Sequence, residues 1–585
     1  MSRKNRQTPV EDKLLYFPIP VYLTGILFFL IEIAVLPGAF SPFRQPKMGT
    51  AVIGLGLLVG GSLSFDLLRG KLKLPKDPLI GVLLVLPVFQ ALSALWSPSP
   101  NLALRTSAIS ALWILAIFWI ATWSAGARNV VLKWTVAGVV VSGLVLFLQL
   151  TGTTPFSLPT FDQQDRLRLT GLCGNPSDLA MAGILLLPLL LLPVLKDHRR
   201  LQVWILPIFI TVTAVFTEGL TAIATILLVG AGLLVHLRSR RVFIGATAIA
   251  VAIVLIVAAN GSIRSRLDKQ FDRLGRQDWY GLLSARSDGW TAAATMVRNS
   301  PFVGVGAGQF SREFYPARRA WVEKNHSLGS RAEYPTHFAW THNDPLQLIS
   351  ELGLLGLAWM IALGLSLYRL RSRHRRLLIF SVLSWLLFLL LHYPTHLAVG
   401  LVPATLFLAE ILQFCPRLEI VIQRRFLSGV AAVGVAAAAG WIAFNEVAQI
   451  RLNLWHGVAE GALKATESAS EIRRRQMLEA VERQSIVQII EHPGEAHWIW
   501  RLVGRTNLLE NSYQEAEVAF RRAGALFPHE EAEMGLGLAL AGQGRMTEAI
   551  YHLNRACRLN PKLVDLIQHP ELRKAVRSRL NVRNP

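Results

Sequence analysis

The chain has 585 residues, 52% of them hydrophobic and only 17% charged, and its net charge is +22. Soluble domains carry nearer 25% charged residues. Composition therefore excludes an ordinary soluble protein, and the excess of Lys and Arg reads as the basic loops of a membrane protein rather than a nucleic-acid surface. The three cysteines, Cys173, Cys415 and Cys557, lie far apart with no CxxC or metal-ligand spacing, so neither a disulfide framework nor a metal site is expected.

The apolar runs are continuous for about 17–22 residues and do not alternate, which predicts an all-α polytopic membrane protein and not a barrel. About 12–13 spans are expected, because backbone groups in lipid must bond within their own helix. The candidates lie at 18–36, 50–65, 79–96, 107–123, 130–150, 177–195, 201–216, 220–237, 242–259, 346–368, 376–392, 397–414 and 427–445. The N-terminus (Arg3, Lys4, Arg6, Lys13) is basic and shows no cleavable signal. With that end inside, basic residues collect in alternate loops: Arg69 to Lys76, Lys196 to Arg200, Arg238 to Arg241, Arg369 to Arg376 and Arg417 to Arg425. The segments 151–176, 217–219, 260–345 and 393–396 then lie on the outer face, with everything after about residue 446. The expected domains are a membrane domain, 1–446, with a large outer loop, 260–345, and an external helical domain, 447–585.

A polar cluster closes the large loop and runs straight into an apolar helix: Thr341-His342-Asn343-Asp344-Pro345-Leu346-Gln347-Leu348, then Glu351-Leu352-Gly353-Leu354-Leu355-Gly356. Groups there stand at a water–lipid boundary, within reach of a lipid-borne and an aqueous reactant. An imidazole with an ordinary pKa near 6.5 suits proton transfer at neutral pH, and Asn343 and Asp344 are near enough in sequence to orient it or a sugar. Glu351 reads equally as a participant or as a buried polar residue bonded to a neighbouring span.

This run resembles the signature of the O-antigen ligase and polymerase superfamily, whose members move lipid-linked glycans on the outer face of the bacterial inner membrane. Two further stretches fit the resemblance. Arg168 precedes Thr170-Gly171-Leu172-Cys173-Gly174-Asn175-Pro176, similar to the family's Arg-x-x-Gly-x-x-Gly-Asn-Pro element. Arg286 and Trp290 precede Pro301-Phe302-Val303-Gly304-Val305-Gly306-Ala307-Gly308, similar to its Arg–Trp helix and Pro-x-x-Gly-x-Gly turn. The resemblance implies transfer of a glycan from a polyprenyl-diphosphate-linked donor to an acceptor hydroxyl on a glycan, lipid or protein, with inversion and without metal or other cofactor. His342 is then the base with Asp344 beside it. Arg286, Arg168, Asn175, Asn343, Glu218 and Gly306 are the substrate-binding candidates, arginine because its fork matches phosphate oxygens and glycine because backbone can approach a glycan closely. One departure stands out. Many members have Ser-Arg-Gly where this chain has Thr217-Glu218-Gly219, so either Arg166, Arg168 or a loop arginine takes the diphosphate, Glu218 has another role, or transfer is lost. His337, His392 and His396 are further outer-face candidates.

The tail changes character. Trp500, Gly504, Ala516, Phe520, Ala523 and Pro528 recur 33 residues on as Glu533, Gly537, Ala549, Leu553, Ala556 and Pro561. The spacing resembles the tetratricopeptide repeat, one residue shorter than usual, and implies a C-terminal α-solenoid for protein contact or acceptor presentation. Deleting 490–585 is expected to spare the membrane fold and alter acceptor choice or assembly more than donor binding. A non-enzymatic transporter or scaffold is the alternative class. Against it, no inverted repeat is visible and the spans are nearly free of charge apart from Glu32 and Glu410.

Overall fold

The computed structural model describes residues 18–153, 169–237, 261–283, 286–325, 338–413, 415–421, 425–492 and 496–581. The predicted span 242–259 and the candidates Arg166, Arg168 and His337 lie outside the described residues.

The molecule is an all-α polytopic membrane protein, with helices at every other predicted span. They are α1 (Ile19–Ile33), α2 (Arg44–Leu68), α3 (Pro78–Leu95), α4 (Pro100–Ala121), α5 (Ala125–Leu150), α6 (Pro176–Lys196), α7 (Leu201–Phe216) and α8 (Leu220–Leu237). After the loop domain, which holds α9 (Gly261–Gly275), α10 (Arg286–Asn299) and α11 (Phe310–Asn325), come α12 (Asp344–Arg369), α13 (Arg371–Leu391), α14 (Ala398–Leu412) and α15 (Arg425–Ala465). Seven of these are long and apolar enough to cross a membrane by that measure, and α1, α7, α8 and α14 are shorter apolar helices.

Lipid tails are as apolar as leucine, so such helices associate through close packing and polar cross-links. Gly25 of α1 leaves room for Trp134 of α5, where an added Cβ would come within 2.5 Å of the ring, and Gly138 of α5 does the same for Glu32 at 2.7 Å. Ser107 Oγ donates to the Pro87 carbonyl at 2.7 Å, and Arg128 Nε pairs with Glu410 at 3.0 Å. Each such bond contributes about 0.6 kcal/mol.

Two ends can be told apart. At one, β1 (Lys71–Pro75) pairs antiparallel with β2 (Arg417–Val421), joining two of the basic loops, and Arg369 bonds Asp77 at 3.0 Å. At the other, the loop domain meets the turn between α3 and α4, with Ala307 N donating to Ser93 Oγ at 2.9 Å and Arg312 to the Pro98 carbonyl at 3.0 Å, and packs on the start of α12.

The expected domain boundary at 446 falls inside α15, a single helix of 41 residues. It carries the chain out of the membrane part without a break. Beyond it come α16 (Glu471–Glu491), α17 (Ala496–Leu509), α18 (Tyr513–Leu526), α19 (Glu530–Gly542), α20 (Met546–Leu559) and α21 (Pro570–Asn581). The 33-residue offset has a packing counterpart. A Cβ on Gly504 would meet Phe520 at 2.7 Å and one on Gly537 would meet Leu553 at 2.6 Å, so the two small residues admit the two large ones between paired helices.

Candidate active site

The strongest motif forms a strained turn. His342 has φ +56°, a left-handed conformation that is uncommon for a residue with a side chain. Its neighbours hold it there. Thr341 Oγ1 donates to the Asn343 carbonyl at 2.6 Å and accepts from the Asn343 N–H at 3.0 Å, bridging over the histidine. The Thr341 N–H donates to Gln347 Oε1 at 3.1 Å. Asn343 caps α12, accepting from Leu346 N at 2.9 Å, and Pro345 follows in the first turn, where its missing N–H costs nothing. Capping engages Asn343 Oδ1.

Asp344 does not reach back to His342. Its Oδ2 accepts from both the N–H (2.9 Å) and the Oγ1 (2.8 Å) of Thr395, and Oδ1 lies 3.7 Å from His396 Nε2. This carboxylate ties the start of α12 to the 393–396 turn and thereby brings Tyr393 against His342, with ring centroids 4.6 Å apart. His392 joins the same aromatic group, 6.0 Å from His342. Glu351 is a strut as well: it accepts from Gln347 Nε2 at 3.0 Å and from Gly308 N at 2.8 Å.

The glycine-rich turn approaches protein closely. Gly306 donates to the Glu351 carbonyl at 2.9 Å, and a Cβ on it would meet Ser97 at 2.8 Å. Gly353 breaks α12 with φ +60°, and the Leu354 N–H it would otherwise strand donates to Pro301 O at 2.9 Å. Asn175 caps α6 through Ser177 N at 2.8 Å. Glu218 is buried with φ +57° between α7 and α8.

Arg286 opens α10. Its Nη1 donates to the Leu283 carbonyl at 3.3 Å, and its buried Nε has no partner among the described residues. Burial pulls this guanidinium below its usual pKa, with Tyr393 nearby offsetting part of the effect. A buried cation that faces no carboxylate is costly unless an anion arrives.

A second guanidinium comes from an element that sequence reasoning passed over. Arg44, at the start of α2, donates from Nε (3.1 Å) and Nη2 (3.0 Å) to Asp178 of α6, and from Nη2 to Tyr393 Oη at 2.6 Å. It lies over the rings of Trp340 (5.5 Å) and Tyr393 (5.3 Å), which stack on each other at 4.7 Å. Among the described residues its Nη1 has no hydrogen-bond partner. A signal was present in the sequence: Arg44 and Lys47 fall in a short loop that the expected topology puts outside, the side where basic residues are scarce. Lys47 proves structural, its ammonium donating to the backbone carbonyls of Ile31 and Glu32.

Burial, then the charges of Arg286 and Arg44, push the His342 pKa down to about 3. The imidazole is therefore neutral at physiological pH, and its buried Nδ1 has no partner among the described residues. The folded pKa is depressed, so the stabilisation is present above the ordinary value of 6.5 and is lost as pH falls from there towards about 3. Between pH 6.5 and 5 the loss is up to about 2 kcal/mol. Acidification to pH 5 should therefore destabilise the detergent-solubilised wild type by that much more than His342→Gln, as read by denaturant unfolding. Equal losses would mean that the ring is not held neutral.

No curated protein matches the chain. Residues 205–361 match the family model described as O-Antigen ligase, a stretch that contains most of α7, all of α8, Arg286, the glycine-rich turn and His342. The match places an O-antigen ligase domain in that part of the chain and supports a glycosyl-transfer role in surface-polysaccharide assembly.

Proposed function

We propose that the protein transfers a glycan from a polyprenyl-diphosphate-linked donor to an acceptor hydroxyl at the outer face of the bacterial inner membrane, with inversion and without a metal. The observation that carries this reading is the grouping of a neutral imidazole, whose Nδ1 has no partner among the described residues, with two guanidiniums, one of which, Arg286, is half-buried and pairs with no carboxylate among the described residues. Arg286 and the Nη1 edge of Arg44 bind the diphosphate, and they stabilise the charge that grows on it as the glycosidic C–O bond breaks.

The acceptor oxygen attacks the anomeric carbon from the opposite face, and its proton passes to His342. The polyprenyl diphosphate departs with the bonding electron pair. A single displacement inverts the anomeric centre. In the free protein His342 is a weak base, because the two cations oppose its protonation. A bound diphosphate neutralises them and raises the ring's pKa, so the base becomes competent when the donor is in place. Arg44 also answers the loss of the family's arginine at Glu218: the second guanidinium comes from α2 instead.

The chemistry requires the end bearing His342 to face outward, with the basic β1–β2 end in the cytoplasm. A reporter fused near residue 460 should be active only outside; activity inside would reverse the orientation. The function itself is tested with the full chain in proteoliposomes, supplied with a purified lipid-linked glycan and a hydroxyl acceptor. Transfer with inverted anomeric configuration is expected. Absence of transfer with every lipid-linked glycan tried would favour the transporter or scaffold class.

A further inference from the structure

The helix that presents Arg286 is gripped from two sides. Asp288, in its first turn, accepts a hydrogen bond from Tyr280 Oη at 3.1 Å and pairs with Arg318 Nη2 at 3.2 Å, both charged side chains being almost wholly buried. The next residue, Gly289, packs so tightly on the catalytic turn that an added Cβ would lie 2.9 Å from the Thr341 carbonyl oxygen. The first turn of α10 is thus registered against His342 by one contact and against α11 by the other.

Arg318 belongs to α11, and α11 has two packed sides. Phe310, Phe314 and Ala317 join Ala292, Ala293 and Met296 of α10 in the core of the loop domain. Tyr315 and Val322 instead share a buried cluster with Leu559 of α20, in the C-terminal helical domain. Charge follows the same route: Tyr315 feels Glu533, Arg555 and Glu530, and the Arg318 guanidinium acts on Glu530 at the start of α19, a residue buried in this contact.

We propose that the C-terminal helical domain is a positioning element of the donor site: Leu559 seats Tyr315 and Val322 of α11, Arg318 on the same helix holds Asp288, and Asp288 fixes the turn that sets Arg286 beside His342. The proposal rests on the donor-site reading above. Burial lowers the local dielectric and strengthens the coupling along the chain of groups. A small error in a substrate-binding arginine is enough to weaken binding. The sequence-based expectation for deletion of 490–585 is accordingly reversed in part, because donor binding should suffer along with any change in acceptor choice.

The test uses the full chain in lipid nanodiscs with Leu559→Ala, Tyr315→Ala and Arg318→Lys, and reads two quantities. The first, amide hydrogen exchange over 286–299, needs no substrate. Leu559→Ala and Tyr315→Ala should both speed exchange in the first turn of α10 by about tenfold, and Arg318→Lys, which keeps the charge, should lie between wild type and Tyr315→Ala. The second is the donor KM against kcat. KM for the lipid-linked glycan should rise about fivefold, with kcat at saturating donor nearly unchanged. Unchanged exchange in both Leu559→Ala and Tyr315→Ala would overturn the mechanical link. Faster exchange with an unchanged donor KM would overturn the positioning role. If the wild type binds no lipid-linked donor, the functional reading fails while the exchange result still decides the link. Should Arg318→Lys not fold, Val322→Ala, which thins the contact with Leu559 on the packed side of α11, supplies the same two readings.

Discussion

Arg286→Ala should weaken binding of the lipid-linked donor by about 10–100-fold, the loss of one charge-assisted contact worth roughly 1.5–3 kcal/mol. The fold should survive, since Arg286 pairs with no carboxylate among the described residues and its removal relieves a half-buried cation. Arg286→Lys should recover part of the affinity, because an ammonium keeps the charge and loses the fork. Arg44 requires a different variant. Arg44→Ala would strand the buried Asp178, at a cost of about 3–5 kcal/mol in stability. The double change Arg44→Gln with Asp178→Asn removes the guanidinium and leaves no orphaned charge, and it too should lower donor affinity at least tenfold. Equilibrium binding of the donor to each variant in nanodiscs decides the matter. Unchanged affinity in both would remove the diphosphate from this site. Glu218→Arg, which restores the family's usual charge in that loop, should be neutral or harmful, because Arg44 and Arg286 already hold the anion; a rise in activity would mean that they do not.

The second large effect belongs to His342. His342→Ala should leave donor binding intact and lower kcat by about 10²–10⁴-fold, the usual cost of losing a general base. The pH profile adds a sharper signature. The acid limb of kcat/KM reports the free protein, where the ring titrates near 3, so this limb should be absent between pH 5 and 8. The limb of kcat reports the donor-bound protein, where the diphosphate offsets Arg286 and Arg44, and it should lie at higher pH. Coincident limbs near 6.5 would show that the two guanidiniums do not act on His342.

Much of this was legible in the chain because the lipid imposes length and continuity on each span. The basic loops marked which ends belong together, and the pairing of 71–75 with 417–421 agrees. His342 and Arg286 were legible as motif residues. What sequence could not supply was what each polar side chain touches. Asp344 and Asn343 flank His342, yet both are turned to holding the turn, one through Thr395 and the other as a cap. Gly306 reads as room for a ligand and is room for Ser97. Arg44 and Tyr393 are far from His342 in sequence, 298 and 51 positions away by numbering. They meet it only because Asp178 on α6 holds one and the Asp344–Thr395 bonds hold the other. A domain boundary drawn at the change in composition missed that α15 is continuous and that α11 joins the two parts through Tyr315 and Leu559.

The most direct test of the site is single-turnover transfer with donor bound in advance. Wild type and His342→Ala are loaded to equal occupancy with a purified polyprenyl-diphosphate glycan, and acceptor is then added. If the imidazole takes the acceptor's proton between two guanidiniums that hold the diphosphate, the wild type transfers the glycan and the variant does so about 10²–10⁴-fold more slowly at the same occupancy. Transfer by His342→Ala at the wild-type rate would contradict that assignment.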